Sequence, residues 1–349
     1  MNSTELLVGL LEHYSPTESE EAAVRYLINW MGAAGFETEI DSAGNAIGKI
    51  GTGEKSIVLL GHIDTVPGAI SVRQEGDLIF GRGAVDAKGP LAAFVAAASL
   101  GEIPGLTITV IGAVGEEGDS RGASYVRDNF HAPDFLVIGE PSRWNRITLG
   151  YKGSINYTLT VEIPVTHPAS NAANACEMLI SSWESLLQFT RDYNSEHARV
   201  FDQVTPTIRS INSSSNGIND YAQMYVTFRL PEGLTVNEIE GQLQNFVAAP
   251  TILSLTPGAV EAYRASKNTK LVRAALAAIR AEDSKPSFVI KTGTSDMNIV
   301  APKWQCPAIA YGPGDSNLDH TPKEHISQLE YKRSITVLRT LMENIGTEQ

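Results

Sequence analysis

The sequence has few cysteines, an excess of acidic over basic residues, and no long apolar run. Cys176 and Cys306 are its two cysteines in 349 residues, too few for a disulfide framework and without metal-ligand spacing, so both are expected to be buried free thiols. Lysine and arginine number 27 against 40 aspartates and glutamates, which gives a formal net charge of −13. Such a charge repels phosphate backbones, so nucleic-acid binding is not expected.

The chain also lacks an apolar stretch of about 18 residues, and membrane spanning is therefore not expected. Its first residues have neither the basic segment nor the apolar core of a secretory signal. Together with the two free cysteines, this predicts a cytoplasmic protein. A hydrophobic content of 42% and a charged content of 19% are typical of soluble globular proteins, and the length predicts about two domains.

The first 150 residues alternate short apolar runs with alanine-rich helical stretches. The runs are rich in β-branched residues and are bounded by glycine or proline, which is typical of buried strands. The predicted strands are Ser56–Leu60, Leu106–Ile111 and Phe135–Ile138, and the predicted helices between them are Lys88–Leu100 and Arg121–Phe130. This alternation predicts an α/β fold with a mixed, mainly parallel sheet flanked by helices.

The pattern changes near Tyr151, where Ser154–Glu162 alternates apolar and polar residues as a half-buried strand does. Strand, helix, strand, helix and strand follow over about 110 residues, and the α/β character returns after Glu261. We therefore expect a discontinuous catalytic domain, residues 1–151 and 261–349. An inserted α+β domain would comprise residues 152–260.

Histidines and acids lie in five loops, four of them directly after a predicted strand. They are His62, Asp64, Asp86, Glu116, Glu117, Glu140 and His320. Because ligands of α/β sheets bind at the carboxyl ends of the strands, we expect these side chains to form one site.

These residue types suit a pair of divalent cations of zinc type, since imidazole and carboxylate are the usual ligands and a carboxylate can bridge two ions. A histidine ligand needs its second ring nitrogen held, and Asp64 has the reach to hold that of His62. A general base must also take a proton from water. The adjacent Glu116 and Glu117 could divide the work, one as the base and one as a ligand.

The sequence resembles the di-zinc metallohydrolases that include acetylornithine deacetylase, succinyl-diaminopimelate desuccinylase and glutamate carboxypeptidase. The resemblance covers nearly the whole chain. The motifs that carry it are Gly61–Pro67 (GHIDTVP), Gly81–Gly89 (GRGAVDAKG), Gly115–Gly118 (GEEG), Gly139–Pro141 (GEP) and His320–Pro322 (HTP).

The resemblance implies a role for each of these positions. His62 and Glu140 would bind one metal ion, Glu117 and His320 the other, and Asp86 would bridge both. Glu116 would be the general base, and Asp64 would orient His62. The cofactors would be two divalent ions per subunit, with Zn²⁺ fitting the ligands best and Co²⁺ or Mn²⁺ able to occupy the same set.

The inserted domain resembles the dimerisation lid of this family, which implies a homodimer. His167 matches a lid histidine that reaches the partner's site and stabilises the oxyanion, although Pro164 and Pro168 depart from the usual small residues and serine around it. The resemblance also implies substrate-binding residues: Lys152, Asn216, Arg229, Thr294 and Ser295. Among these, Asn216 and Arg229 would hold a substrate carboxylate.

The string Lys291–Asn298 (KTGTSDMN) and the short length most resemble the lysine-biosynthesis branch. Those enzymes release lysine or ornithine from the γ-carboxyl of the terminal glutamate of an acidic amino-group carrier protein. A deacetylase of N-acetylornithine or N-acetyllysine, a dipeptidase, and a non-catalytic binding protein on the same fold are the alternatives. Since enzyme and carrier are both acidic, the carrier hypothesis requires a basic patch near the mouth of the site.

Overall fold

The computed structural model describes residues 2–167, 169 and 171–347; Pro168 lies outside this part. The chain forms two compact units, and we refer to them as unit 1 and unit 2. Unit 1 comprises Met1–Gly150, Ala265–Ile290 and Ser295–Gln349, and unit 2 comprises Tyr151–Arg264 and Lys291–Thr294. Each unit has its own hydrophobic core. The short segment Lys291–Thr294 was expected in the catalytic domain, but it belongs to unit 2.

Within the described residues, helices α1 to α9 are Ser3–Glu12, Glu21–Ala33, Lys88–Ala98, Arg121–Asn129, Ala175–Ser195, Val236–Gln244, Lys270–Ala281, Asp296–Trp304 and Gln328–Thr347. Strands β1 to β8 are Glu37–Ile40, Ala46–Ile50, Lys55–His62, Arg73–Glu75, Leu78–Phe80, Leu106–Ala113, Phe135–Gly139 and Arg146–Tyr151. Strands β9 to β16 are Gly153–Pro164, Thr205–Ser215, Asn219–Leu230, Ile252–Val260, Tyr263–Arg264, Ser287–Lys291, Ala308–Ala310 and His325–Ser327. Over the same residues, no helix is both long and apolar enough to cross a membrane.

The large sheet of unit 1 is mixed, as predicted, with parallel strands at its centre. Its strands run in the order β1-β2-β6-β3-β7-β15-β8, and β14 also pairs with β8. Strand β3 is parallel to β6 and β7, and β15 is parallel to β7. Helices cover the sheet because its central strands are apolar on both faces. All eleven residues of the alanine-rich α3 are buried, because the helix packs against the sheet and against α1 and α9.

Unit 2 has an antiparallel sheet in the order β10-β11-β9-β12. The predicted alternation is present in β9, since Ile155, Tyr157, Leu159 and Val161 are all buried. They form the core of unit 2 together with apolar residues of α5 and β11.

Some local expectations were wrong. No side chain caps the start of α2, where Thr17 and Glu20 have the spacing of a capping box, and the Thr17 hydroxyl donates to the Asp64 carboxylate instead. Helix α5 begins at Ala175, where Asn174 and Glu177 form a capping box. Both cysteines were expected to be buried, but Cys176 is exposed on that helix and Cys306 is half-buried.

Candidate metal centre

Asp86 lies between two histidines and presents one carboxylate oxygen to each. Its Oδ1 is 3.2 Å from His62 Nε2, and its Oδ2 is 2.9 Å from His320 Nε2. His320 Nε2 is also 2.8 Å from Glu117 Oε1. His320 lies more than 200 residues in sequence from Glu117, and the fold brings their polar atoms into contact.

Three sets of candidate ligands overlap here, and in each set the ligand atoms lie within 4.8 Å of one another. The sets are His62, Asp86 and Glu140; Asp86, Glu117 and His320; and His62, Glu116 and Glu117. The first two share Asp86. Two imidazoles with three carboxylates, one of them shared, are the donor set that a pair of divalent cations requires, so the residues present fit such a pair.

The parallel strands explain why these residues meet. His62 is the last residue of β3 and pairs in register with Ala113 of β6, while Gly61 pairs with Gly139 of β7. The carboxyl ends of the three strands therefore lie at one edge of the sheet. Glu140 follows β7 directly, and Glu116 and Glu117 occupy the turn after β6.

Asp64 holds the turn that carries the two glutamates. Its Oδ1 accepts a hydrogen bond from Glu116 N at 3.0 Å, and its Oδ2 accepts one from Glu117 N at 3.1 Å. The Thr17 hydroxyl donates to the same Oδ2 at 2.8 Å. The sequence analysis expected Asp64 to orient His62, and the nearest partner of His62 Nδ1 is the Asp64 carbonyl oxygen, at 2.9 Å, with the carboxylate at 3.5 Å.

Electrostatics keep the shared carboxylate ionised. Burial raises the pKa of Asp86, but hydrogen bonds with His320 and His62 outweigh burial and hold that pKa well below its usual range. Hydrogen bonds with Asp86 and Glu117 raise the pKa of His320 to about 10. Burial raises the pKa of Glu116 well above its ordinary value, and the neighbouring Glu140, Asp296 and Glu117 raise it further against the lowering effect of His62. A carboxyl group with a raised pKa can both accept and return a proton near neutral pH.

Sequence reasoning missed two buried carboxylates. Asp296, at the start of α8, is 2% exposed, and burial raises its pKa to about 7. Glu324 is fully buried and contacts the loop before Asp86. Asp296 was visible only as part of the Lys291–Asn298 string, and Glu324 only by its place four residues after His320.

Lys152, Arg229 and Lys291 lie at one end of the sheet of unit 2, and we call them the cationic cluster. Lys152 is fully buried; its Nζ donates to Gln203 O and, at 3.0 Å, to Thr205 Oγ1. Its backbone amide donates to Lys291 O at 3.2 Å. Arg229 Nη1 donates to Thr294 Oγ1 at 2.9 Å.

Asn216 and His167 lie at the other end of that sheet. Asn216 closes the turn between β10 and β11, where its Oδ1 accepts from Ile218 N and Asn219 N. Val165, two residues before His167, donates its amide to Ile218 O. Asn219 and Arg229 are ten residues apart along β11. At the usual rise per residue of a β-strand, this separation is about 33 Å. One chain therefore cannot use Asn216 and Arg229 on the same carboxylate.

Ser295 is used by the helix that follows it. It is 3% exposed, and its hydroxyl accepts from Met297 N as the N-cap of α8. Asn298 completes the capping box by accepting from Ser295 N. The Ser295 hydroxyl thus caps α8, and its part in substrate binding stays a prediction.

Comparison with known proteins agrees with this geometry. The family model described as peptidase family M20/M25/M40 matches residues 58–344. The [LysW]-lysine hydrolase of Deinococcus radiodurans is 40% identical over 332 residues, covering 93% of this chain and 91% of that protein. A putative [LysW]-lysine/[LysW]-ornithine hydrolase of Pyrococcus furiosus is 39% identical over 337 residues, covering 96% and 94%.

Solved structures show the same fold. An M20 family metallo-carboxypeptidase of Sulfolobus solfataricus matches with a TM-score of 0.82 at 17% identity, covering all of both chains. A Bacillus subtilis protein described as a dinuclear metal binding peptidase of family M20 matches with a TM-score of 0.69 at 13% identity, covering 98% of this chain and 97% of that one. The chain belongs to peptidase family M20/M25/M40, a family of hydrolases, and the predicted resemblance is confirmed.

Proposed function

We propose that this protein is a metal-dependent amide hydrolase that releases L-lysine or L-ornithine from the terminal glutamate of an amino-group carrier protein. The observation that carries the chemistry is the Asp86 carboxylate, shared between His62 and His320. The names of the relatives at 40% and 39% identity over most of the chain support the substrate.

The proposed metal ligands fall into two sets. His62, Glu140 and Asp86 would hold one ion, and Glu117, His320 and Asp86 the other. Zn²⁺ fits imidazole and carboxylate ligands best, and Co²⁺ could occupy the same positions. When bound, such a pair supplies Lewis acidity that activates water and polarises an amide carbonyl.

Glu116 is the proposed general base. It takes a proton from the attacking water and returns it to the leaving amine, so that the amide C–N bond breaks to a carboxylate and a free amine. Two features support this role: the raised pKa of its side chain and the hydrogen bond by which Asp64 holds its backbone amide. Asp64 is thus the residue that positions the base as well as contacting His62.

The cationic cluster supports an anionic substrate. A guanidinium binds a carboxylate in a bidentate way, and we propose that Arg229, with Thr294 beside it, holds the substrate carboxylate. Lys152 and Lys291 would add positive charge where an acidic carrier must approach.

We further propose a homodimer through unit 2, in which His167 and Asn216 act at the partner's site. The support is that these two residues lie at the opposite end of β11 from Arg229. A cytoplasmic location stays a prediction.

Metal analysis tests the chemistry. Wild-type protein should bind two ions per chain, and Asp86→Asn fewer than two, with loss of turnover. Asp134→Asn is the matched control, because Asp134 accepts from Ser56 near the start of β3, away from the metal end of that strand. The control should bind two ions and turn over normally. Fewer than one ion per wild-type chain would contradict the proposal and favour a non-catalytic binding protein.

A further inference from the structure

A buried carboxylate holds the loop that ends at Asp86. Glu324 Oε1 accepts hydrogen bonds from Val85 N at 2.9 Å and Asp86 N at 3.0 Å. Its Oε2 lies 2.8 Å from Arg82 Nη1. The side chains of Glu324 and Arg82 are only 1% and 7% exposed, so water screens this pair little.

Arg82 extends the contact to a second loop. Its Nη1 donates to Thr321 O at 3.2 Å, and Thr321 directly follows His320. Its Nε donates to Gly68 O at 2.9 Å. The pair therefore ties the loop of Asp86 to the loop of His320, although 234 positions separate these two residues in sequence.

Stability alone does not account for this arrangement. The desolvation of a buried ion pair can cancel its Coulomb attraction, so such pairs contribute little to net stability. Glu324 also brings a second anion close to the Asp86 carboxylate. Burial raises the pKa of Glu324, the backbone hydrogen bonds from Asp86, Val85 and Gly83 lower it, and the repulsion from Asp86 adds to the rise. Glu324 contacts the backbone of one proposed ligand, Asp86. Through Arg82 it also contacts the loop of another, His320.

We propose that Glu324 and Arg82 are positioning residues that fix the spacing between Asp86 and His320 for metal binding. This inference rests on the proposed function, in which those two residues share an ion. Groups that orient metal ligands typically change metal affinity by 10- to 100-fold when they are removed.

The test compares Glu324→Gln with Glu330→Gln. Glu330 is a matched control because its Oε1 also accepts from two backbone amides, those of Trp144 and Gly314, and it contacts no proposed metal ligand. Zn²⁺ affinity is measured by competition with a chromophoric chelator. The melting temperature of each metal-free variant is measured as well. We expect Glu324→Gln to bind the more weakly held of the two Zn²⁺ ions about 10- to 100-fold less tightly than wild type does. Glu330→Gln should bind both ions with wild-type affinity.

Two further readouts separate positioning from general damage. Saturating Zn²⁺ should restore most of the kcat of Glu324→Gln while KM stays near the wild-type value. If Glu324→Gln does not fold, Arg82→Lys replaces it. That variant keeps the charge but loses the forked contacts to Gly68 and Thr321, and it should bind Zn²⁺ less tightly than wild type does.

The possible results are distinguishable. Two ions bound with equal affinity by wild type, Glu324→Gln and Arg82→Lys would overturn this inference and leave the proposed function standing. Fewer than one ion per wild-type chain would overturn the proposed function and this inference with it. An equal loss of affinity in Glu330→Gln would show a general effect of the fold and would also overturn the positioning role.

Discussion

Asp64→Asn is the change that most directly tests how the glutamate turn is held. The carboxylate has two acceptor oxygens, and each accepts one backbone amide, Glu116 N at 3.0 Å and Glu117 N at 3.1 Å. Asparagine keeps one acceptor oxygen and replaces the other with an NH₂ donor. One of these two amides therefore loses its acceptor and faces another donor.

The cost follows from the hydrogen bonds lost. A bond to a charged group contributes about 1.5–3 kcal/mol, and a buried amide without a partner costs about 1–3 kcal/mol. Relief of repulsion between Asp64 and nearby anions such as Asp296 offsets part of this. We expect a net loss of about 3 kcal/mol, which for a unit of this size lowers the melting temperature by about 6–12 °C.

Thermal unfolding of metal-free protein measures the effect, with Thr17→Val as the control. That variant removes only the hydroxyl that donates to Asp64 Oδ2, at a cost of about 1 kcal/mol, and leaves both amides paired. Turnover of metal-loaded Asp64→Asn should fall about 10- to 100-fold, because the base is no longer held. A melting temperature of Asp64→Asn within about 2 °C of that of Thr17→Val would show that Asp64 does not stabilise the glutamate turn through the two backbone amides.

Four further substitutions have defined outcomes. Glu116→Gln should keep two metal ions but lose about 10²–10⁴-fold in kcat; metal analysis with steady-state kinetics checks this, and retained turnover would eliminate the base. Burial lowers the pKa of Lys152 from 10.5 to about 8, so the folded state releases a proton that the unfolded state keeps. Stability should therefore rise between about pH 8 and 10.5. The melting temperature of Lys152→Met should rise less over this pH range than that of wild type. Parallel melting profiles of the two proteins would contradict the lowered pKa of Lys152. Gly139→Ala should destabilise by about 1–3 kcal/mol, since its Cβ would lie 2.9 Å from Phe94 Cε2. Gly241→Ala, with open space in α6, should stabilise by about 0.5–1 kcal/mol; denaturant midpoints test both, and shifts of the same sign would be inconsistent with the packing.

Much of the candidate metal centre was predictable because its arrangement depends on a strong rule. Hydrophobic runs located β3, β6 and β7, and the rule that parallel strands present ligands at their carboxyl ends brought His62, Glu117 and Glu140 together. The apolar alternation of β9 was equally clear, because one of its faces is buried.

Other features carried no such signal. Strand β10 was missed because nearly all of it is exposed and its sequence, TPTIRSINSSS, has little apolar periodicity. Thr17 and Glu20 have the spacing of a capping box, but the Thr17 hydroxyl makes a long-range hydrogen bond to Asp64 instead. Asn216 and Arg229 were paired on family resemblance, and only the strand between them shows that they lie at opposite ends of the sheet. Contacts between residues distant in sequence decide each of these cases.

The release of free amine from three substrates under matched Zn²⁺ tests the central claim most directly. The substrates are lysine linked to the amino-group carrier protein, ornithine linked to the same carrier, and free N-acetylornithine. We expect kcat/KM to be highest for a carrier-linked substrate and to fall with added salt, because the cationic cluster attracts an acidic carrier. A higher kcat/KM for N-acetylornithine would contradict the account and make the enzyme a deacetylase.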